Sequence, residues 1–510
     1  NLTLTYGMRW DFFAPLHEKF GRVSNIRLGQ GATTLSAAAI RTGGDLTDGD
    51  YNNWGPQLGF AWSPRALIGH EFNNKFVLRG GVGVAYNRVP GNDLWQAAGN
   101  PPDFIAASLP ASEGQIGYGF SKAGIYSFSG FPASPAAIET FDPATGLPQP
   151  TSEHFAPPDI TGAVRNLATP YTWHYSLEGQ YDFGHSWVAA VSYQAAQSRK
   201  YPRKVNYALQ YARPTYQAGT DPKTGQPIFK PLIGNVNIYQ TDVNSHYNAL
   251  LTRLTHRMTK GLELSAEYRY SKSVDQCSSD AQCNQTYPYD QRTETGPSDF
   301  DATHTFKANT LYELPFFKSR HDWLYTLAGG WKIGGILQLN SGFPWTPIDG
   351  RTCFQVSGLD QTCPVRPAAY LGGAKSDFST GNFQTVGNFP AKTAANATHP
   401  GLDYFTPGPQ LGTYTGVPPA PTVKRNSFRG PRYTGIDMSF GKRFTLPKVP
   451  FFGEGAGFEV KANAFNVFNK VNLLPFGFNS ASTNINDPLF GRATGALGGR
   501  VIEFLARFSF

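Results

Sequence analysis

Val501-Ile-Glu-Phe-Leu-Ala-Arg-Phe-Ser-Phe510 is the stretch that decides the fold of this chain. One side of it carries Ile502, Phe504, Ala506, Phe508 and Phe510. Successive side chains of a β-strand point to opposite faces, so this strand has one apolar and one mostly polar face. A row of phenylalanines is costly in water but favourable in lipid. The alternation therefore predicts the closing strand of an outer-membrane β-barrel, with Glu503 and Arg507 turned into a wet lumen.

The composition of the 510 residues agrees with this prediction. Charged residues make up 16% of the chain, below the roughly 25% that is usual for soluble domains. The 55 glycines, 39 prolines and 14% aromatic residues suit strands joined by long irregular loops. No run of about 18 apolar residues exists, which excludes a helical membrane span. The net charge of +8 indicates either a mildly basic surface or attraction to anionic headgroups or solutes, and no signature of nucleic-acid binding accompanies it.

Twelve segments of the chain alternate in the same way as its last ten residues. In the clearest of them, Trp173, Tyr175 and Leu177 alternate with polar residues. Each is long enough to cross a bilayer at the tilt of a barrel strand. The twelve predicted strands are 2–12, 54–64, 75–88, 171–183, 186–198, 246–258, 262–274, 303–315, 330–345, 434–444, 457–469 and 500–510.

The connections between these segments alternate in length. The odd connections run to about 30–90 residues and the even ones to about 2–14, the pattern of barrels with long extracellular loops and short periplasmic turns. Unstructured loops of the longer length would be unusual in a compact soluble domain. We therefore predict an all-β, antiparallel transmembrane barrel in the outer membrane, contacting outer-membrane lipid and having long extracellular loops.

Several short motifs, each weak alone, occur in a characteristic order along the strands. They are Trp54–Pro64, Val77–Arg88, Tyr247–Leu250, Tyr268–Ser273, Tyr312–Pro315, Phe428–Pro431, Ala464–Asn469, Phe490–Arg492 and the terminal strand. Together they resemble the C-terminal barrel region of TonB-dependent outer-membrane receptors, of the large Oar-like type with an N-terminal carboxypeptidase-regulatory-like domain. The resemblance covers nearly all strands and little of the long loops.

The resemblance implies a 22-strand barrel that is filled by a separate plug domain. Residues 1–510 are then the C-terminal part of the barrel domain, and about ten strands, the plug, the energy-coupling segment and the export signal lie upstream. It also implies a barrel-assembly machinery that recognises the terminal aromatic residues Phe508 and Phe510. A TonB-type complex acts on the plug, and the transported solute is large; siderophore, cobalamin, glycan and peptide-like ligands all remain open.

Charged residues on the polar side of successive strands are the candidate lumen residues. They are Arg253, Arg257, Glu263, Glu267, Arg269, Arg443, Glu459, Lys461, Glu503 and Arg507. One interpretation is a lattice of ion pairs that holds barrel and plug together. The other is a polar path for the solute once the plug moves. Both require inward polarity, so the sequence does not distinguish them.

Four cysteines form two near pairs, Cys277 with Cys283 and Cys353 with Cys363. Neither pair has the spacing of a zinc or redox motif, so we expect two local disulfides in the loops. No catalytic motif is present, and we predict neither enzyme activity nor a cofactor. The alternatives to a receptor are a surface adhesin or structural outer-membrane protein, and an unplugged diffusion channel.

Overall fold

The computed structural model describes most of the chain. The described residues are 1–21, 23–28, 35, 38–42, 44–64, 75–100, 140–141, 147–150, 157–209, 211–279, 287, 290–317, 323–350, 354–355, 361–362, 366–372, 400–408, 419–445, 456–477, 483–493 and 495–509.

Twelve antiparallel strands follow one another along one continuous sheet, each beside its neighbours in sequence. They are β1 Leu2–Trp10, β2 Trp54–Trp62, β3 Phe76–Tyr86, β4 Tyr171–Gly184, β5 Trp187–Asn206, β6 Val236–Thr259, β7 Leu262–Asp275, β8 His304–Glu313, β9 Lys332–Asn340, β10 Tyr433–Thr445, β11 Gly457–Phe465 and β12 Val501–Ser509. All twelve predicted strands are confirmed, in their predicted order. β1 and β12 are the two edges of the sheet, and no pairing joins them in the described part of the chain.

The register gives every strand one apolar face, and these faces are continuous across the sheet. One row of directly paired residues runs Phe504, Ala462, Phe440, Ile333, Tyr312 and Leu262. A second row runs Leu4, Phe60, Gly80, Leu177, Tyr193, Leu250 and Tyr270. Many of these side chains are exposed, and Phe504 is 85% exposed. A slip of one residue at any strand would turn its apolar residues to the other face, so the shared face fixes the register.

The connections alternate in length as predicted. At one end of the sheet, two-residue turns join β4 to β5 and β6 to β7. Gly184 and Gly261 there have φ of 79° and 87°, a left-handed conformation that glycine adopts without steric cost. At the other end lie the long connections 11–53, 87–170, 207–235, 276–303, 341–432 and 466–500.

β5 and β6 run further than predicted, and this is the main difference from the sequence-based assignment. β5 reaches Asn206 rather than residue 198, and β6 begins at Val236 rather than 246. The register shifts between Ser198 and Tyr201, where Lys200 has φ of 58°. Such a bulge breaks the alternation of side chains, so the periodic pattern stops although the pairing continues. The extended part of β6 also pairs in parallel with Ile160–Ala163.

Shorter elements build the connections. Gly296–Pro297 pairs with the end of β7. Two-stranded ribbons join Ser24–Leu28 to Ala38–Thr42, Thr140–Phe141 to Pro148–Gln149, Thr215–Thr220 to Pro227–Pro231, Pro344–Trp345 to Phe428–Arg429, Phe354–Gln355 to Gln361–Thr362, and Ala369–Tyr370 to Phe405–Thr406. The helices in the described part of the chain are α1 Gly91–Trp95 and α2 Trp323–Ala328, with 3₁₀-helices at Gln96–Gly99, Tyr207–Leu209, Gln291–Glu294 and Pro400–Asp403. Of the helices formed by described residues, none has the length and apolar character to span a bilayer.

The clusters of buried apolar residues lie in the long connections and against the extended end of β6. One cluster contains Trp345, Tyr404, Phe405, Val423, Phe428, Phe476, Ile485 and Phe490. Two adjoining clusters are built around Ile26, Ile160, Ile233 and Ile238, and around Leu46, Leu94, Leu167 and Tyr239. We call the folded parts of the six long connections the loop layer.

Candidate functional site

The polar face of the sheet carries the charged residues that the sequence singled out. Nine of the ten share this face by register: Arg253, Glu263, Glu267, Arg269, Arg443, Glu459, Lys461, Glu503 and Arg507. The tenth, Arg257, lies where the register shifts at the end of β6, and its backbone N–H donates to Ser186 O at 3.0 Å.

Some of these charges meet across strands. Arg253 Nη2 lies 3.0 Å from Glu267 Oε2, joining β6 to β7. Glu459 is directly opposite Arg443 on one neighbouring strand and Arg507 on the other. Opposite charges in such positions stabilise strand pairing by about 0.2–1 kcal/mol each. A further pair that the sequence did not single out, Arg79 Nε with Glu178 Oε1 at 2.9 Å, joins β3 to β4.

The polar face is the concave one. A concavity of about 650 Å³ spans β7 to β11, and its wall includes Glu263, Asp437 and Lys461. A second, of about 690 Å³, spans β1 to β6 and is lined by Gln57, His174 and Gln194 among others. Most residues lining both belong to the polar face, so the apolar face is the convex one.

The polar face also differs along its length. On β1 to β3 it presents the glycines Gly7, Gly59, Gly81 and Gly83 together with Arg9 and Arg79, whereas the charged residues that the sequence singled out lie on β6, β7 and β10 to β12. A Cβ atom added at Gly7 would meet nothing within 4 Å. The concave surface is therefore richer in glycine on these three strands than on the strands that carry the candidate charges.

A network of buried charges ties the loop layer to the ends of β7 and β8. Arg425 Nη1 lies 2.6 Å from Asp275 Oδ1 and its Nη2 lies 3.1 Å from Asp299 Oδ1. Arg429 pairs with Asp301, which also accepts a hydrogen bond from Ser273 N–H at 2.7 Å.

A second, fully buried pair extends this network. Arg366 Nη2 lies 3.3 Å from Glu294 Oε1, and burial lowers the pKa of Arg366 while the Glu294 carboxylate opposes that shift. The pairs fix segments that are far apart in sequence against one another. The loop layer is consequently a folded surface at the long-connection end of the sheet rather than a set of separate loops.

Aromatic residues of the loop layer pack within it. Trp345 is 1% exposed, and its ring is tilted by 36° to that of Phe428 and lies nearly at right angles to that of Phe476. Burial raises the pKa of Tyr404 to about 12, with the nearby Asp403 carboxylate adding to the shift. These rings form the interior of the loop layer and do not offer faces to a ligand from outside.

The cysteines are described in part. Cys277, just after β7, is disulfide-bonded. Cys283, Cys353 and Cys363 lie outside the described residues, so both predicted pairings stay predictions. Phe508 is on the apolar face opposite Phe458, and Phe510 lies outside the described residues.

The described residues contain no group of three or more His, Cys, Asp or Glu side chains that could hold a metal ion. Three aspartates between β1 and β2 have separate partners. Asp45 contacts His17, Asp48 contacts Arg165, and Asp50 accepts the backbone N–H of Thr169.

The charged network of the loop layer could not be recognised in the sequence. Arg425 and its partner Asp275 are 150 residues apart. No periodic pattern links such positions, because their proximity depends on how the long connections fold.

Comparison with known proteins identifies the domain type. A family model described as an outer membrane beta barrel domain matches residues 1–503. No curated protein matches the chain in sequence. Similar solved structures include the FrpB iron transporter from Neisseria meningitidis, with 10% identity, a TM-score of 0.40, and coverage of 100% of this chain and 43% of that one.

Two further solved structures are similar at the same level. The siderophore receptor PirA from Acinetobacter baumannii has 10% identity and a TM-score of 0.38, covering 92% of this chain and 42% of that one. The outer membrane transporter YddB from Escherichia coli has 11% identity and a TM-score of 0.37, covering 85% and 39%. The chain spans about two fifths of the length of these structures.

Proposed function

This chain belongs to the outer membrane β-barrel domain family, whose model matches residues 1–503, and from this premise we propose a function. The chain lies in the outer membrane and is the C-terminal barrel part of a TonB-dependent receptor. The receptor imports a large solute, and it is of the Oar-like type with an N-terminal carboxypeptidase-regulatory-like domain. The assignment to the Oar-like type of TonB-dependent receptor is supported by the motifs along the strands.

The observation that carries the proposal is the open sheet. Twelve strands pair in sequence order, yet among the described residues no pairing joins the edges β1 and β12. Backbone N–H and C=O groups at an edge in lipid each cost several kcal/mol when unpaired, so a sheet of this kind belongs in a larger closed barrel. Barrels of about 22 strands have a lumen that is plugged rather than open. We place the remaining strands and the plug in a part of the protein outside this chain.

The concave face suits a lumen that holds a plug. It presents charges of both signs, which can form ion pairs with a second domain, and the glycines of β1 to β3 allow close approach. In this proposal Arg253, Arg257, Glu263, Glu267, Arg269, Arg443, Glu459, Lys461, Glu503 and Arg507 face the plug. A plug that shifts under the action of a TonB-type complex would expose the same polar surface to the solute.

The loop layer supports a role in capture at the cell surface. It has its own apolar clusters and buried ion pairs, so it presents a preformed surface and little ordering is needed on binding. The same property favours a second candidate function, a surface adhesin. Deletion of loop segments distinguishes the two functions. In a receptor the deletion abolishes solute uptake, whereas in an adhesin it abolishes surface binding and has no effect on uptake.

The proposal is tested by conductance and by energy dependence. We expect the full-length native protein to give no steady conductance in a planar phospholipid bilayer, because the lumen is plugged. A steadily open pore would contradict the proposal and support a diffusion channel. In cells, import attributable to the protein should stop when a protonophore collapses the protonmotive force. Import that continues unchanged would also contradict it.

A further inference from the structure

The connection between β8 and β9 presents a group of exposed apolar side chains at the short-turn end of the sheet. Leu314 N–H donates to Trp331 O at 2.8 Å, which closes the base of this connection. On α2, Trp323 and Leu327 are one turn apart and are 72% and 63% exposed. Phe316 and Phe317, just after β8, are also exposed. Such a concentration of large apolar side chains on one short connection is unfavourable in water.

Lys442 of β10 holds α2 against the apolar face of the sheet. Its Nζ donates to Tyr325 O at 3.1 Å and to Thr326 O at 2.6 Å, in the last turn of α2. The register places Lys442 on the apolar face, opposite Val460 and between Phe440 and Phe444. The helix is therefore attached to the convex side of the sheet and not to the concave side.

Trp331 makes a second attachment on the same side. Its ring stacks on that of Phe440 with centroids 4.5 Å apart and an angle of 1° between the planes. Its Nε1–H donates to Leu327 O at 3.1 Å. The surface of α2 thus continues the apolar face that contacts outer-membrane lipid.

The charge of Lys442 is compensated within the protein. The carbonyls at a helix C-terminus carry partial negative charge, and two of them accept from Nζ. The rings of Tyr325, Trp331 and Phe444 lie with their centroids 4.8–5.9 Å from the same nitrogen. Lys442 is 6% exposed, so it ties the helix down without presenting its charge to lipid.

We propose that this connection is an interfacial anchor, in which α2 lies in the plane of the periplasmic leaflet and immerses Trp323 and Leu327 in phospholipid. Short turns of outer-membrane barrels face the periplasm. Tryptophan prefers the boundary between headgroups and acyl chains, and short amphipathic helices bind there through their apolar side. The occupant of the surface is phospholipid because the surface continues the lipid-contacting face. The inference rests on the outer-membrane location and is independent of transport.

Nitroxide accessibility tests the anchor in the full-length protein, reconstituted in vesicles of phosphatidylethanolamine and phosphatidylglycerol. A spin label is placed at Leu327→Cys, with Trp323→Cys as a second site. The matched control is Lys260→Cys, an exposed residue in the two-residue turn between β6 and β7 at the same end of the sheet. Parent protein without an introduced cysteine, treated with the same spin-label reagent, gives the background signal from native cysteines.

We expect labels at 327 and 323 to be relaxed by oxygen more than by a water-soluble nickel chelate, and the label at 260 to show the reverse. Equal access to the nickel chelate at all three positions would overturn the proposal. Shielding of 327 and 323 from both reagents would also overturn it, because a protein would then cover the surface.

The attachment through Lys442 is tested with the same label at 327. Lys442→Met removes both hydrogen bonds from Nζ to α2, and the label should become more mobile and more accessible to the nickel chelate. Lys332→Met is the control, since Lys332 is exposed on the concave face of the neighbouring strand. An unchanged spectrum in Lys442→Met, or an equal change in the control, would contradict the attachment.

Discussion

An exposed residue on this sheet faces lipid if it lies on the convex side and the lumen if it lies on the concave side, and β12 has residues of both kinds. Phe504 and Leu505 are adjacent and both exposed, but Phe504 belongs to the convex apolar face and Leu505 to the concave polar face. Phe504→Arg should destabilise the protein by about 2–4 kcal/mol, because it places a charge in lipid near the bilayer midplane. Leu505→Arg should have little effect.

The two variants are compared by urea unfolding of the full-length protein in phospholipid vesicles. Equal stability of Phe504→Arg and Leu505→Arg would show that the two faces are assigned wrongly.

A buried ion pair and an exposed one should respond differently to loss of their arginine. Arg425→Met leaves the Asp275 carboxylate buried without its partner, which we expect to cost about 3 kcal/mol. Amide exchange of residues 290–303 should then accelerate by about a hundredfold. Arg292→Met is the control, because Arg292 pairs with Asp290 in solvent and should exchange as the parent does. Similar exchange in both variants would mean that the network does not hold the loop layer together.

The terminal aromatic residue gives a prediction about assembly rather than stability. The resemblance to TonB-dependent receptors implies that the assembly machinery recognises the last strand, which ends in Phe508 and Phe510. Removal of Phe510 should lower the amount of folded protein in the outer membrane. The yield is measured by immunoblot of purified outer membranes, with Ser509→Ala as the matched control. A normal yield without Phe510 would contradict the assignment of this signal.

At the level of elements, strands that cross the membrane could be predicted and elements beyond it could not. The lipid face imposes a period of two on every crossing strand, and all twelve were found from that period. The ends of β5 and β6 were missed because the bulge near Lys200 interrupts the period. Ribbons such as Pro344–Trp345 with Phe428–Arg429 were missed because their partners are distant in sequence.

The base of the longest connection depends on a close backbone approach. Gly430 N–H donates to Phe343 O at 2.9 Å, and a methyl group at Gly342 would overlap the Gly430 carbonyl. Gly342→Ala should therefore separate the two ends of this connection and destabilise it by about 1–3 kcal/mol. Gly7→Ala, which has open space around it, should be tolerated.

Limited proteolysis of the connection between β9 and β10 measures this effect. Cleavage should be faster in Gly342→Ala and unchanged in Gly7→Ala. A cleavage rate in Gly342→Ala equal to that of the parent would mean that the connection stays folded without the close approach of Gly342 to Gly430.

At the scale of the whole molecule, the strand pattern predicted which charges share a face but not how the long connections fold. The register could be inferred because each lumen candidate alternates with apolar neighbours. The loop layer, its apolar clusters around Trp345 and its ion pairs around Arg425 depend on contacts across long connections, which no local pattern encodes. The shared face of nine lumen candidates could thus be predicted from the strands, whereas the structure of the loop layer could not.

The open edges give a prediction for the isolated chain. Residues 1–510 expressed alone should not form a stable monomeric barrel, because β1 and β12 leave unpaired backbone groups in lipid. Heat modifiability on gel electrophoresis and protease resistance report on barrel formation. A heat-modifiable, protease-resistant monomer of this chain would contradict the prediction.

The central claim, that this chain is the C-terminal part of a larger plugged receptor, is tested most directly by the intact mass and N-terminal sequence of the native protein from detergent-extracted outer membranes. We predict a polypeptide of about twice 55.8 kDa that continues upstream of Asn1 into further strands and a plug. A native polypeptide that begins at or near Asn1 would contradict the claim and would favour a surface structure over transport.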